Sequence, residues 1–330
     1  MAKQNTKPNS KPNSKPYDPK DPVINRFLQY REIFTGSSLK EGLKKKTIQK
    51  SCELPLSMMN KTQNEKLNDF DFVLFHLYQS HEEYKKYFLK LRKNKSTANR
   101  LMFLDNSAYE YFIKGETLDM EAFMGAVQQL KPDFYLLPDT LMNFDKTIQD
   151  IEIFLGDFKK EIMELISIGV LPMAVIQGDS VEEMLNCMVI YKEMGIRHIC
   201  IPFHNSFFKE LSKKINWKEF ENFNLSKDTE DNLYAKGRIC FARMYEHHLS
   251  GFEYIHLLGS HNPLEVHFHK PTIINSIDTG YPVKLAVENP KVKLGEEKSK
   301  PHIIIDDFFE SKLTKKQMER IEENIKIFKS

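Results

Sequence analysis

No apolar run in this sequence approaches the ~20 residues that a membrane-spanning helix needs. The first residues are polar and lack the apolar centre of a secretion signal. Cysteine is scarce: Cys52, Cys187, Cys200 and Cys240 are scattered, and no two make a Cys-x-x-Cys pair. That argues against a structural zinc site of the usual kind and demands no disulfide, so a reducing cytoplasm is expected. No G-x-G-x-x-G and no G-x-x-x-x-G-K-[ST] follows any strand-like run, which removes the dinucleotide and P-loop readings. Neither sign of charge dominates, the formal net charge being +2. The expectation is a soluble protein inside the cell, with no membrane partner.

What is present is ample apolar material: 41% of 330 residues is hydrophobic. One domain of roughly 250 residues or more with appendages fits this length, as do two smaller ones. Residues 1–20 hold KPNSKPNSKP and little apolar side-chain area, so a disordered basic tail is expected there. Further basic clusters lie at Lys44-Lys45-Lys46 and from Lys85 to Lys95. These suit phosphates or a merely solvated face.

Along the chain, short apolar runs alternate with helical patterns. Ser51 to Leu56 is a candidate first strand, and Phe70 to Tyr78 reads as a buried strand. His81 to Arg92 reads as a helix. Strand-like runs follow at Arg100–Asp105, Phe134–Pro138, Leu171–Ile176, His198–Phe203, Glu253–Leu258 and Thr272–Ile277, with His302–Ile305 as a last candidate. Between them lie an amphipathic helix at 119–130, a long helix capped by Asn143 and ended by Gly169, and a helix opened by the Ser180-x-x-Glu183 capping pattern. A further helix is expected at 229–250. Met184, Met188 and Met194 fall on a core face. Thr314-Lys315-Lys316-Gln317 opens a terminal helix. Alternation of this kind predicts an α/β fold, a TIM-type (β/α)8 barrel over residues 21–310, with 311–330 as a helix packed on it.

Polar residues stand at the carboxyl ends of several of these strands: Asp105, Asp139, Gln177-Gly178, Gly259 and Asp278. In a barrel, that end carries the chemistry. Carboxylates without a metal motif suit acid/base and nucleophilic work, and paired carboxylates suit attack at an anomeric carbon. An Asp beside a Gln has the donors and acceptors to read a purine edge.

The order of these segments resembles the tRNA-guanine transglycosylase superfamily across about residues 70–285. The family pattern runs D-S-G-G-[FY], a strand-end acid, V-Q-G-G, L-M-G-x-G-x-P and D-x-x-x-P-x-R. Here the matching segments are Asp105-Asn106-Ser107-Ala108-Tyr109, Asp139, Ile176-Gln177-Gly178-Asp179, Leu257 to Pro263, and Asp278 to Lys284. The resemblance implies Asp278 as nucleophile at C1′ and Asp105 as general acid/base. It implies Tyr109 stacking on the base, Asp139 and Gln177 with Gly178 binding its edge, and Gly259 allowing close backbone approach. Lys284 then contacts a phosphate in place of the family's arginine. Ser107-Ala108 replaces a double glycine and is expected to narrow the site beside Tyr109. Ile201-Pro202-Phe203-His204 replaces a glycine-rich turn. The family's C-x-C-x-x-C zinc element is absent.

That last departure makes the chain similar to the phage and bacterial branch that inserts 7-deazaguanine bases such as preQ0 into DNA. The implied partners are DNA and a small 7-deazaguanine co-substrate, with no ATP and no redox cofactor. The implied location is the cytoplasm, that of the host if the chain is phage-encoded. A homodimer stays open. The alternatives are a tRNA-directed enzyme, a catalytically silent nucleic-acid-binding subunit, and a metal-dependent hydrolase using His247, His248, His256, His261, His267 and His269.

Overall fold

Eight strands form a single parallel sheet. They are β1 (Gln49–Ser51), β2 (Asp71–Leu74), β3 (Met102–Asp105), β4 (Phe134–Leu136), β5 (Leu171–Val175), β6 (His198–Pro202), β7 (Tyr254–Leu258) and β8 (Ser276–Asp278). The computed structural model describes residues 22–37, 39, 45–59, 66–94, 100–214, 229–297 and 300–330. The strand order is β1-β8-β7-β6-β5-β4-β3-β2, so each strand lies beside its sequence neighbour and β8 returns to β1. This is the near-closed (β/α)8 barrel that alternating strands and helices predict. The strands read as apolar runs because both faces are covered, and Phe103, Leu104, Tyr135 and Ala174 are all fully buried.

The barrel interior is largely aromatic. Phe103 packs on Phe70, Phe72, Phe134 and Tyr254 at centroid distances of 4.9 to 6.1 Å. Two histidines join the stack, His198 against Phe134 and His256 against Phe72 and Phe103. A wide, ring-filled floor of this kind leaves the polar chemistry to the upper layer, at the strand ends.

The seam between β1 and β2 closes without a regular ladder. Asp69 N–H donates to Lys50 O, and Lys50 N–H donates to the Asp69 carboxylate. Asn68 acts as a stand-in strand residue: its amide accepts from Cys52 N–H at 2.8 Å and donates to Cys52 O at 2.9 Å. After β1 the described residues hold a 3-10 turn, Leu56–Met58, and helical residues at 66–67. The terminal helix Lys315–Lys329 covers that side. Lys329 pairs with Asp69, Lys66 with Glu322, and Lys50 Nζ donates to Lys329 O. Its apolar face, Ile321, Ile325 and Phe328, is buried, and Thr314 and Gln317 form the expected capping box. The terminal helix thus lies against the β1 side of the barrel.

Several expected boundaries change. The first strand is Gln49–Ser51 rather than Ser51–Leu56, because the Asn68 side chain, not a neighbouring strand, takes the Cys52 backbone. Phe70–Tyr78 is not all strand: after Leu74 the chain turns into a helix, Phe75–Ser80. The long helix after Asn143 is two helices, Phe144–Asp157 and Lys159–Ser167, broken at Phe158. The 229–250 helix likewise breaks at Tyr245. Residues 302–304 form no strand, and a short helix starts at Ile305. The expected tail, residues 1–20, and much of the irregular stretch 206–228 lie outside the described residues. No described helix is long and apolar enough to cross a membrane.

Candidate active site

Asp105 is the last residue of β3 and Asp278 the last of β8. With Asp139, Gln177, Tyr109, Gly259 and Lys284 they line one cavity of about 150 Å³ at the carboxyl end of the barrel. An apolar cavity of that size holds a benzene-sized ring. Seven sequence-predicted residues thus meet in one place. Gly178 does not line it. A Cβ at Gly178 would lie 2.6 Å from the Glu183 Cβ, so this glycine serves the packing of the following helix.

Asp278 is buried and its Oδ1 takes two hydrogen bonds, from Gly259 N–H at 2.9 Å and from His256 Nε2 at 2.8 Å. Burial in the aromatic cage holds His256 neutral, with its pKa down to about 3. A neutral ring facing a carboxylate carries its proton on Nε2, leaving Nδ1 to accept from Ser276 Oγ at 2.8 Å. Parallel register makes this relay: His256 pairs with Ser276 across β7 and β8, and Asp278 stands two residues above on the same face. Gly259 is in the left-handed region at φ +61, which a glycine adopts freely. Its carbonyl accepts from Arg238 Nη2 at 2.7 Å, and Arg238 is itself fully buried against Glu265. Arg238 also takes the carbonyls of Ile201 and Leu258. This buried cation therefore fixes the turn whose N–H points at Asp278.

A second carboxyl meets Asp278. Glu53, two residues beyond β1, hydrogen-bonds the Asp278 side chain. Burial, then the charge of Asp278, push Glu53 well above the ordinary carboxylate range. Burial also raises Asp278, but Gly259 N–H and the Glu53 hydrogen bond oppose that rise. Glu53 is therefore the partner that keeps the proton and donates it to an ionised Asp278. Gly280 makes the space, since a Cβ there would lie 2.5 Å from Glu53 Oε2. Lys284 stands over the same glycine, and its charge lowers both Glu53 and Glu110.

Asp105 has the opposite setting. Burial, followed by the charges of Glu110, Asp278 and Asp139, raises its pKa well above normal, and one hydrogen bond from Ser107 N–H at 2.9 Å does not reverse this. Its surroundings therefore favour the protonated form. Ser107 is in the left-handed region at φ 60, a conformation costing a non-glycine residue about 1–2 kcal/mol. Its hydroxyl offsets part of this by accepting from His76 N–H at 3.2 Å and bonding His76 Nδ1 at 2.9 Å. Ser107 is thus turned towards His76 and does not line the cavity; of the Ser107-Ala108 pair only Ala108 narrows it.

Asp139 is clamped between two amides. Asn106 Nδ2 donates to Oδ1 and Gln177 Nε2 donates to Oδ2, each at 2.7 Å. Burial raises its pKa to about 6 against these bonds. Gln177 Oε1 accepts from Met142 N–H, so the Gln177 carbonyl is already engaged. Tyr109, partly exposed, lies parallel to the His204 ring at 5.6 Å between centroids.

Sequence reading missed Glu53, Glu110 and His204 as cavity residues. Glu53 lies in a run that reads as strand, and Glu110 follows Tyr109 in a helix with no distinguishing spacing. The histidines do not form one cluster. His256 is inside the barrel, His269 sits beside Glu265, and His247 and His248 are exposed on a helix. Comparison with protein-family models returns no match, and comparison with curated proteins returns none.

Proposed function

We propose that the chain is a DNA-guanine transglycosylase that exchanges guanine for a 7-deazaguanine base through a covalent Asp278 glycosyl intermediate. One observation carries this reading: two buried carboxyls from separate strand ends, Asp278 and Asp105, share a cavity the size of one aromatic ring, with hydrogen bonds from Gly259 N–H and His256 favouring the ionised form of Asp278 while burial and neighbouring charges favour the protonated form of Asp105. Two carboxyls in opposite protonation states are the equipment for displacement at a glycosidic carbon.

In the first step an Asp278 oxygen attacks C1′ and the C1′–N9 bond breaks. The bonding pair leaves with guanine, which takes the Asp105 proton. Asp105, now ionised, removes the proton from the incoming deazaguanine. The nitrogen so freed attacks C1′, and Asp278 departs as carboxylate. Proton and charge return to their starting places, so exchange consumes no further reactant. Gly259 N–H and His256 stabilise the Asp278 charge at both ends of the cycle. Asp139, fixed by Asn106 and Gln177, offers its remaining lone pairs to the purine N–H groups, and Tyr109 offers a stacking face. Unstacking the target base from a duplex costs a few kcal/mol, of which base–aromatic stacking returns about 1–3.

The test is incorporation of labelled guanine, and separately of labelled preQ0, into duplex DNA and into tRNA, by wild type and by Asp278→Ala. Label entering DNA with wild type alone supports both substrate and nucleophile. Label entering tRNA alone keeps the chemistry and overturns the substrate. No label in either, with tight nucleic-acid binding, favours a silent binding subunit.

A further inference from the structure

At the mouth of the cavity three side chains from separate elements converge: His204 after β6, His261 after β7, and Asp231 in the first turn of the helix Glu230–Met244. One ligand atom of each lies within 4.8 Å of the other two. The two imidazoles stand nearly perpendicular, 78° apart with centroids at 4.6 Å, and His261 Nδ1 is 3.1 Å from Asp231 Oδ1. Among the described residues neither ring nitrogen of His204 has a hydrogen-bond partner, although the ring is partly buried. Phe203, Tyr234 and Tyr281 surround the group with rings.

We infer that His204, His261 and Asp231 form a binding site for one divalent transition-metal ion of the zinc class, with an open coordination position. Two imidazole nitrogens and one carboxylate oxygen suit zinc, cobalt or nickel over magnesium or calcium, which prefer oxygen alone. Three protein ligands with a vacancy are the pattern of a site that still receives an outside ligand. Two of the three, His204 and His261, also line the cavity. Lys300 Nζ, 3.6 Å from Asp231, shows a cation already drawn to this carboxylate, and metal entry competes with it.

This site stands apart from the base-exchange reading and is tested without it. Chelator-stripped, full-length protein is titrated with Co²⁺, followed by visible absorption, and then with competing Zn²⁺, with bound metal counted by elemental analysis. One equivalent is expected, with a d–d band that zinc abolishes. His204→Ala and Asp231→Asn should each weaken uptake at least tenfold, while His248→Ala, an exposed histidine elsewhere, should leave it unchanged. His261→Gln gives a third variant in case one of these fails to fold by circular dichroism. Less than half an equivalent in wild type under a tenfold metal excess, or full uptake surviving the ligand substitutions, overturns the site and leaves His261 and Asp231 as a plain ion pair.

Discussion

The Glu53 carboxyl hydrogen-bonds the Asp278 carboxyl, joining the first strand of the barrel to the last at the wall of the cavity. The contact favours the neutral form of Glu53 and lowers the proton affinity of Asp278. Glu53→Ala removes a donor from Asp278, so the acid limb of the pH–rate profile should move up by roughly one pH unit. Glu53→Gln keeps a neutral donor and should leave that limb in place. An unchanged limb in Glu53→Ala would show that Glu53 does not act on Asp278.

On the proposed mechanism, Asp278→Asn and Asp105→Asn should each lower base exchange by about 10³-fold or more, since each removes a group assigned there to making or breaking bonds. They should part in one respect. Asp105→Asn should still form some covalent adduct on a substrate with a good leaving group, detected by mass spectrometry, and Asp278→Asn should form none.

Stability should fall as pH rises from about 4 to neutrality. Burial first of all pushes Glu110 up to about 7 and Asp139 up to about 6. A carboxyl whose folded pKa exceeds its unfolded value of ~4 binds its proton more tightly in the native state. It therefore favours folding most at acid pH, and that advantage is lost between about pH 4 and 7. Denaturant unfolding should give a lower midpoint at pH 8 than at pH 5, apart from any general acid effect. Glu110→Gln should add about 1–3 kcal/mol at pH 8 and flatten the slope.

Arg238→Met should destabilise the fold by about 3–5 kcal/mol, because Glu265 is left as a buried, unpaired charge. The double variant Arg238→Met with Glu265→Leu should recover much of that stability in urea titrations. It should not recover base exchange, since the carbonyls of Leu258 and Gly259 lose the group that orients the Asp278 turn.

Tyr109→Ala should leave the thermal midpoint within a few degrees, as its ring is 39% exposed. It should weaken binding of a flipped base by about 1–3 kcal/mol, read by fluorescence titration with an abasic-paired guanine duplex. Phe112, 60% exposed on the same short helix, offers the matching control. Phe112→Ala should alter duplex binding without altering affinity for the free base.

The fold was legible because barrel strands buried on both sides are plain apolar runs, and their carboxyl ends carry acids. Asp105, Asp139 and Asp278 stood out for that reason. Glu53 did not, because β1 is only Gln49–Ser51 and its neighbour across the seam is the Asn68 side chain. No local pattern marks a side chain that substitutes for a strand. His256 was visible only as one of many histidines. Period-two spacing on β7 and β8 puts it beside Ser276 and below Asp278, but that inference needs the register, which the sequence alone does not supply. Phe158 breaks a helix inside an unbroken amphipathic pattern, and nothing in the spacing warns of it.

The pairing of β1 also governs the order of assembly. Its ladder partner among the described residues is β8, across nearly the whole described chain. During synthesis from the amino end, β1 emerges early and has only the Lys50–Asp69 and Cys52–Asn68 hydrogen bonds to hold it, without a ladder, while β2 to β7 zip to one another in turn. The ring is completed when β8 appears, and the same event brings Asp278 to Glu53. A ribosome-bound chain stalled before β8 should thus hold a curved open sheet with β1 still lacking its strand ladder, and the cavity would come into being in one late step rather than by gradual accretion.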